Sequence, residues 1–205
     1  MVIENHILKD VESHVISFLT EHLSDDLTYH SISHTKDVVR CVNELAAEQD
    51  FSKEEVEILN LAAWFHDVGY TKSVEEHEKC SAQMAREFLK NVEYPEQQIK
   101  VIEGCILATK MPQTPSNALE QTICDADLMH LAAKDYLEKA DLLHKEIEKT
   151  KLCTIPEEEW MQMNQEFLKS HCFFTEIAQK KYTSAVKENL RKVRQRLKEW
   201  QKTTK

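Results

Sequence analysis

The feature that most constrains this chain is its shortage of glycine and proline, which number two and four among 205 residues. These two residues supply the tight turns that join short strands. Glutamate, lysine, leucine, alanine and glutamine are abundant instead, and most of them favour helices. We therefore expect an all-α fold, a single-domain bundle of eight or nine helices, for which 41% hydrophobic residues can supply the core.

Apolar residues recur at helical spacing along the chain, and capping residues and prolines mark where helices end. Ser33 is the expected cap of the second helix, Ser52 and Glu55 form a capping box for the third, and Asp125 is an expected N-cap. The predicted helices cover 3–22, 34–47, 53–66, 75–90, 95–109, 117–124, 126–149, 156–170 and 175–200. We expect an N-terminal helix (1–27) on a core (28–150), with 151–205 in the same compact body.

Composition indicates the cellular compartment of the protein and the kinds of partner it can bind. The six cysteines form no CxxC pair, which indicates reduced thiols. Charges run through the N-terminal segment, which lacks an apolar stretch of signal or membrane length, so we expect a cytoplasmic protein without a membrane partner. A net charge of −10 argues against non-specific binding to nucleic acid.

The C-terminal segment departs from this acidic balance. Residues 187–205 carry eight basic and two acidic side chains, so the remaining 186 residues have a net charge of −16. A nucleic-acid or membrane tail is one interpretation, but a solvated helix face with cations near its carbonyl end is the one we prefer. The same helix has an apolar stripe that must pack on the core or on a second subunit, so a homo-oligomer stays open.

Spacing along the chain predicts where several histidines meet. His34 and His66 each stand 16 residues from a turn near residue 50. Two antiparallel helices of equal length return the chain to its starting level, so these histidines should share one end of a hairpin. His77 and Thr109 are related in the same way across residue 93. We expect both pairs to lie at the same end of the bundle.

His66 and Asp67 follow the nearly all-apolar run 59–65. Polar groups at the end of a buried helix are costly unless they are paired or bind a metal. Asp127, which should open the following long helix, completes a set of two imidazoles and two carboxylates. Such a set suits a divalent transition ion. The alternative is that these histidines are surface residues or hydrogen-bonded core residues.

Three segments carry an H…HD…D pattern: YHSISHT, LAAWFHDVGY and ICDADLMHL. Over roughly residues 28–132 the chain resembles the HD-domain superfamily of metal-dependent phosphohydrolases. The resemblance implies one divalent transition ion (Mn, Fe, Co, Ni or Zn, with Mg possible in an assay). It also implies four ligands, which are His34, His66, Asp67 and Asp127.

Some members of that superfamily hold a second ion with two further histidines. His77, in HEKCSAQMAREFL, is similar to the first of these, but Thr109 and Lys110 stand where the second should fall. This departure favours one ion, with His77 and Lys110 facing the substrate phosphate. Lys72 is a further candidate for binding substrate.

The resemblance implies hydrolysis of a phosphate ester or anhydride by a metal-activated water, with a nucleotide or related small phosphorylated metabolite as substrate. Asp67 is the expected catalytic residue, which orients the water or accepts its proton. Two alternatives are open: a non-catalytic regulatory protein that binds a nucleotide or a metal, and a dinuclear iron oxygenase, which Thr109 and Lys110 disfavour. The sequence identifies neither the substrate nor the metal.

Overall fold

A computed structural model of the protein describes residues 6–151 and 153–203, and its regular elements there are all helical. This confirms the all-α prediction. No helix in the described residues is both long enough and apolar enough to cross a bilayer. The α-helices are His6–His22 (α1), Ile32–Ala46 (α2), Lys53–Phe65 (α3), His77–Asn91 (α4), Glu96–Ala108 (α5), Ala118–Asp127 (α6), Tyr136–Thr150 (α7), Glu157–Ser170 (α8) and Glu176–Thr203 (α9).

The described residues pack as two compact units. The first contains α1 to α6, in residues up to 25 and 30–127. The second contains α7 to α9, in residues 26–29 and from 128 onwards. The division at residues 27 and 150 that we drew from the sequence stays a prediction.

Helix α3 is the centre of the first unit, where it packs against α1, α2, α4, α5 and α6. All eight residues from Ile58 to Phe65 are buried. A helical segment that is apolar on nearly every side requires such surroundings. Its start is fixed by the predicted capping box, in which the Ser52 hydroxyl accepts the Glu55 N–H and the Glu55 carboxylate accepts the Ser52 N–H.

A 3₁₀ turn, Val68–Thr71, follows α3 and packs closely against the start of α4. The Gly69 N–H donates to the Ser81 hydroxyl at 2.8 Å. A Cβ at Gly69 would overlap the His77 carbonyl oxygen and lie 2.7 Å from the Ser81 nitrogen. Glycine at this position therefore sets the distance between the turn and α4.

Three local predictions are wrong. The cap of α2 is Ser31 and not Ser33, so His34 lies in the first turn of the helix. Asp125 is not an N-cap but a buried residue within α6. Asp127 does not open a long helix, because it is the last residue of α6.

The helix predicted over 126–149 is interrupted by a 3₁₀ turn, Leu128–Ala132, before α7 begins. In the second unit the buried Asn189 side chain donates to the carbonyl oxygens of Leu131 and Ala133, at 2.9 and 2.8 Å. In a continuous helix the Leu131 carbonyl would accept the N–H of the residue four positions later. A side chain on α9 thus stabilises the break.

Part of the basic charge of α9 is used within the second unit. The Arg196 guanidinium donates to the Asp141 and Glu157 carboxylates, each at 2.8 Å. In the apolar stripe, Val186 and Val193 are buried while Trp200 is 39% exposed. These ion pairs use one of the eight basic side chains, so the solvated-face interpretation and the tail for nucleic acid or membrane both stay predictions.

The two glycines of the chain provide a matched test of the packing at the 3₁₀ turn. Gly69→Ala should lower the free energy of unfolding by about 1–3 kcal/mol or more, because the new methyl group collides with backbone atoms. Gly104 lies within α5, and a Cβ there would meet the Glu120 side chain at 3.4 Å. Gly104→Ala should therefore be neutral or stabilise the fold by up to about 1 kcal/mol. Denaturant titration measures both, and equal effects would contradict the close-approach argument.

Candidate metal centre

Helix ends deliver four polar side chains to one place in the first unit. His34 comes from the first turn of α2, and Asp127 is the last residue of α6. His66 directly follows the last residue of α3, and Asp67 precedes the 3₁₀ turn. The structure therefore brings together the four residues that the sequence predicted as ligands.

The nitrogen and oxygen atoms of this cluster approach one another closely. His34 Nε2 lies 3.4 Å from His66 Nε2, 3.2 Å from Asp127 Oδ1 and 3.4 Å from Asp67 Oδ2. His66 Nε2 lies 3.0 Å from Asp67 Oδ2 and 3.7 Å from Asp127 Oδ1. Ligands at about 2.1 Å from one ion are separated by about 3.0–3.4 Å, depending on the coordination angle. These distances fit a common ion.

The family comparison agrees with this geometry. The model of the HD domain family matches residues 31–132, which is about half of the chain and contains all four cluster residues. The chain belongs to the HD-domain superfamily. Proteins with an HD domain are generally metal-dependent hydrolases.

A solved structure shares the whole fold. The crystal structure of a Lactobacillus plantarum protein superposes with a TM-score of 0.70 at 16% sequence identity. The match covers 98% of this chain and 99% of that one. At this identity the likeness shows the fold alone. No curated protein matches the chain.

Within the HD domain, the chemistry of the donor set fits a metal ion. His34, His66 and Asp127 each offer a ligand atom, all within 4.8 Å of one another, so they could hold an ion. Asp67 Oδ2 is buried and has no hydrogen-bond partner among the described residues, although two imidazole nitrogens are near it. An unsatisfied buried carboxylate oxygen is costly, and a metal ion would satisfy it.

The tautomer of His66 also suits an ion. Its Nδ1 lies 2.8 Å from the Ala63 carbonyl oxygen. A carbonyl oxygen only accepts, so Nδ1 carries the proton, and the Nε2 of a neutral imidazole presents a lone pair to the cluster. A backbone carbonyl thus fixes the orientation that a metal-binding histidine requires.

The electrostatics of the cluster favour a cation. Burial lowers the pKa of His34, but Asp127 and Asp67 outweigh burial and raise it to about 10. Burial raises the pKa of Asp67, whereas the positive charge of His66 and the close approach of the His34 and His66 imidazoles hold it well below its ordinary value. Positive charge near the two buried carboxylates therefore stabilises them, and either protonated imidazoles or a divalent ion can provide it.

The candidate substrate-binding residues divide into two groups. His77, the first residue of α4, places its Nε2 3.8 Å from Asp67 Oδ1, which makes it the immediate neighbour of the cluster. Lys72 and Lys110 are exposed, and no hydrogen bond or ion pair joins either ammonium to the cluster among the described residues. Thr109 is buried, and its hydroxyl donates to the Ile106 carbonyl oxygen. Of these three substrate-binding candidates, His77 is the one in contact with the cluster.

Sequence reasoning missed three residues around the HD-domain cluster. Gln113 donates to Asp127 Oδ2 at 3.5 Å and to the Cys124 carbonyl oxygen at 3.3 Å. The Tyr70 ring stacks on the His77 ring, with centroids 3.8 Å apart. Glu78 is buried, with Oε1 3.4 Å from His77 Nε2. Spacing alone gave no signal for Gln113, whereas Tyr70 and Glu78 adjoin the HD motif and His77 in sequence.

Binding of a metal at this cluster should stabilise the fold, because the four groups meet only in the folded chain. Purified protein titrated with Mn²⁺, Co²⁺, Ni²⁺ or Zn²⁺ should show a rise in Tm. Free metal at about 100 times its Kd adds about 2.7 kcal/mol.

His66→Ala should abolish this rise. The control His144→Ala removes a buried imidazole of the second unit, beside Glu148 and Glu157, and should leave it intact. An equal thermal response of wild type and His66→Ala would rule out this cluster as the binding site.

Proposed function

We propose that this protein is a metal-dependent phosphohydrolase, which cleaves a phosphate ester or anhydride in a nucleotide or a related small phosphorylated metabolite. The observation that carries the proposal is the convergence of two imidazole nitrogens and two carboxylates, with separations of 3.0–3.7 Å, in a matched HD domain. His34, His66, Asp67 and Asp127 would hold one divalent transition ion. When bound, the ion polarises a phosphoryl oxygen and lowers the pKa of a water.

Asp67 has two oxygens in different surroundings, which allows it two roles. Its Oδ2 faces the imidazoles of His34 and His66. Its Oδ1 faces His77 at 3.8 Å. With Oδ2 in the ligand set, Oδ1 stays available to orient the attacking water and to accept its proton.

His77 is the best-placed group to bind the substrate phosphate. Its Nδ1 lies 3.0 Å from the Val74 carbonyl oxygen, which fixes the ring and directs Nε2 towards the cluster. Since Nδ1 donates to that carbonyl, Nε2 can donate as well only when the ring is doubly protonated, and such an imidazolium can stabilise charge on a non-bridging phosphate oxygen. Lys72 and Lys110 are exposed cations that would join it when substrate is bound.

Turnover of a nucleotide panel tests the proposal. Wild-type protein with Mn²⁺, Co²⁺ or Mg²⁺ should release phosphate or pyrophosphate from at least one phosphorylated substrate. Asp67→Asn should reduce kcat by about 10²-fold or more, since it removes the proton acceptor. Asp37→Asn, which removes a carboxylate paired with Arg40 on α2, is the control and should keep full activity.

Binding of a nucleotide without any turnover would favour the regulatory alternative. Oxygen uptake with two equivalents of iron would favour the oxygenase.

Substitutions at His77 and Lys110 test the proposed substrate contacts. His77→Ala should lower kcat/KM by about 10²-fold, because it removes a donor to the phosphate. Lys110→Ala should also impair phosphate release while metal content stays near one equivalent. Lys110→His, which supplies the imidazole of a dinuclear site, should raise metal content. If Lys110→Ala is fully active and wild type binds two ions, the single-ion proposal is wrong and His77 becomes a ligand.

The partner we propose is therefore a small phosphorylated molecule. The cytoplasmic location and the oligomeric state stay predictions.

A further inference from the structure

Glu78 has surroundings that its position in the fold alone does not explain. It is the second residue of α4, and only 5% of its surface is exposed. Its Oε1 lies 3.4 Å from His77 Nε2, while Oε2 is buried and has no hydrogen-bond partner among the described residues. Burying a carboxylate with one oxygen unsatisfied costs stability. A residue that destabilises the fold in this way points to a functional role.

The helix dipole does not account for this burial. The helix dipole stabilises a carboxylate in the first turn of a helix, but this stabilisation does not require the carboxylate to be buried. Glu96 in the first turn of α5 shows that arrangement, since it is exposed and pairs with Arg86. Glu78 is instead turned towards the neighbouring imidazole.

The His77 ring is held on three sides. The Val74 carbonyl oxygen lies 3.0 Å from Nδ1, and the Tyr70 ring stacks at 3.8 Å with an interplanar angle of 16°. Glu78 lies on the side of Nε2, the atom that also faces Asp67 Oδ1. The other carboxylate on the Nε2 side, that of Asp67, lies at the longer distance of 3.8 Å.

We propose that Glu78 is a positioning residue, which fixes the His77 imidazole beside Asp67 so that Nε2 meets the substrate phosphate. The part of this inference that concerns phosphate rests on the proposed function. Glu78 acts through His77 and not by contact with the substrate. Groups that orient a functional side chain in this way commonly contribute about 10–100-fold.

The first experiment needs no turnover. The ring-nitrogen NMR signals of His77 are measured in the purified full-length chain without added metal, and are assigned by their loss in His77→Ala. Glu78→Gln, which keeps the volume and removes the charge, should shift these signals.

The control Glu146→Gln alters another buried glutamate, which accepts the Tyr29 N–H at 2.7 Å in the second unit, and should not shift them. The two variants should also differ in stability. Glu146→Gln should lower Tm, whereas Glu78→Gln should leave Tm unchanged or raise it. Unchanged His77 signals in Glu78→Gln would overturn the proposal, whatever the activity of the protein.

The second experiment is a double-mutant cycle on the substrate that gives turnover. Glu78→Gln should lower kcat by about 10-fold at unchanged metal content. In the His77→Ala background the same change should have less than about a twofold effect, because Glu78 then has nothing to position. Multiplicative effects in the double variant would overturn the proposal.

The two proposals can fail separately. Absence of turnover in wild type rejects the phosphohydrolase, while the NMR comparison still decides the role of Glu78.

Discussion

Burial of the second half of α3 on every side is the constraint on which the first unit depends. The residues Ile58–Phe65 avoid water only because five other helices surround them. The chain then places His66 and Asp67 at the end of this apolar run, where solvent cannot satisfy them. Counter-groups must come from neighbouring helix ends, and His34 and Asp127 provide them. The same packing that makes the core thus makes a polar cluster unavoidable.

A second constraint places another layer of residues beside that cluster. Because Gly69 has no Cβ, the 3₁₀ turn approaches the first turn of α4 within backbone contact. Asp67 precedes this turn, and His77 and Glu78 begin α4, so the close approach brings all three together. The tight packing at one glycine therefore determines which groups can reach the open side of Asp67.

Local and periodic features were predictable from the sequence. The capping box at Ser52 and the convergence of His34 with His66 follow from residue types and from helix length. The break after Asp127 was not predictable, because Asn189 stabilises it from 58 residues away along the chain. The burial of Glu78 depends likewise on how α4 packs. The sequence around Glu78 is typical of the acidic first turn of an exposed helix. Tertiary contacts override local propensity at these positions.

The charge of the site connects the ion to the substrate. Asp67 and Glu78 place two carboxylates beside the His77 imidazole, and Asp127 adds a third within the cluster, in a chain whose net charge is −10. Such surroundings repel a phosphate anion unless positive charge offsets them. Under the proposed function the ion therefore supplies positive charge for phosphate binding as well as for its cleavage. His77 Nε2 lies 3.8 Å from Asp67 Oδ1 and 3.4 Å from Glu78 Oε1, so a phosphate held at Nε2 would lie close to both carboxylates, and the charge of the ion would offset their repulsion.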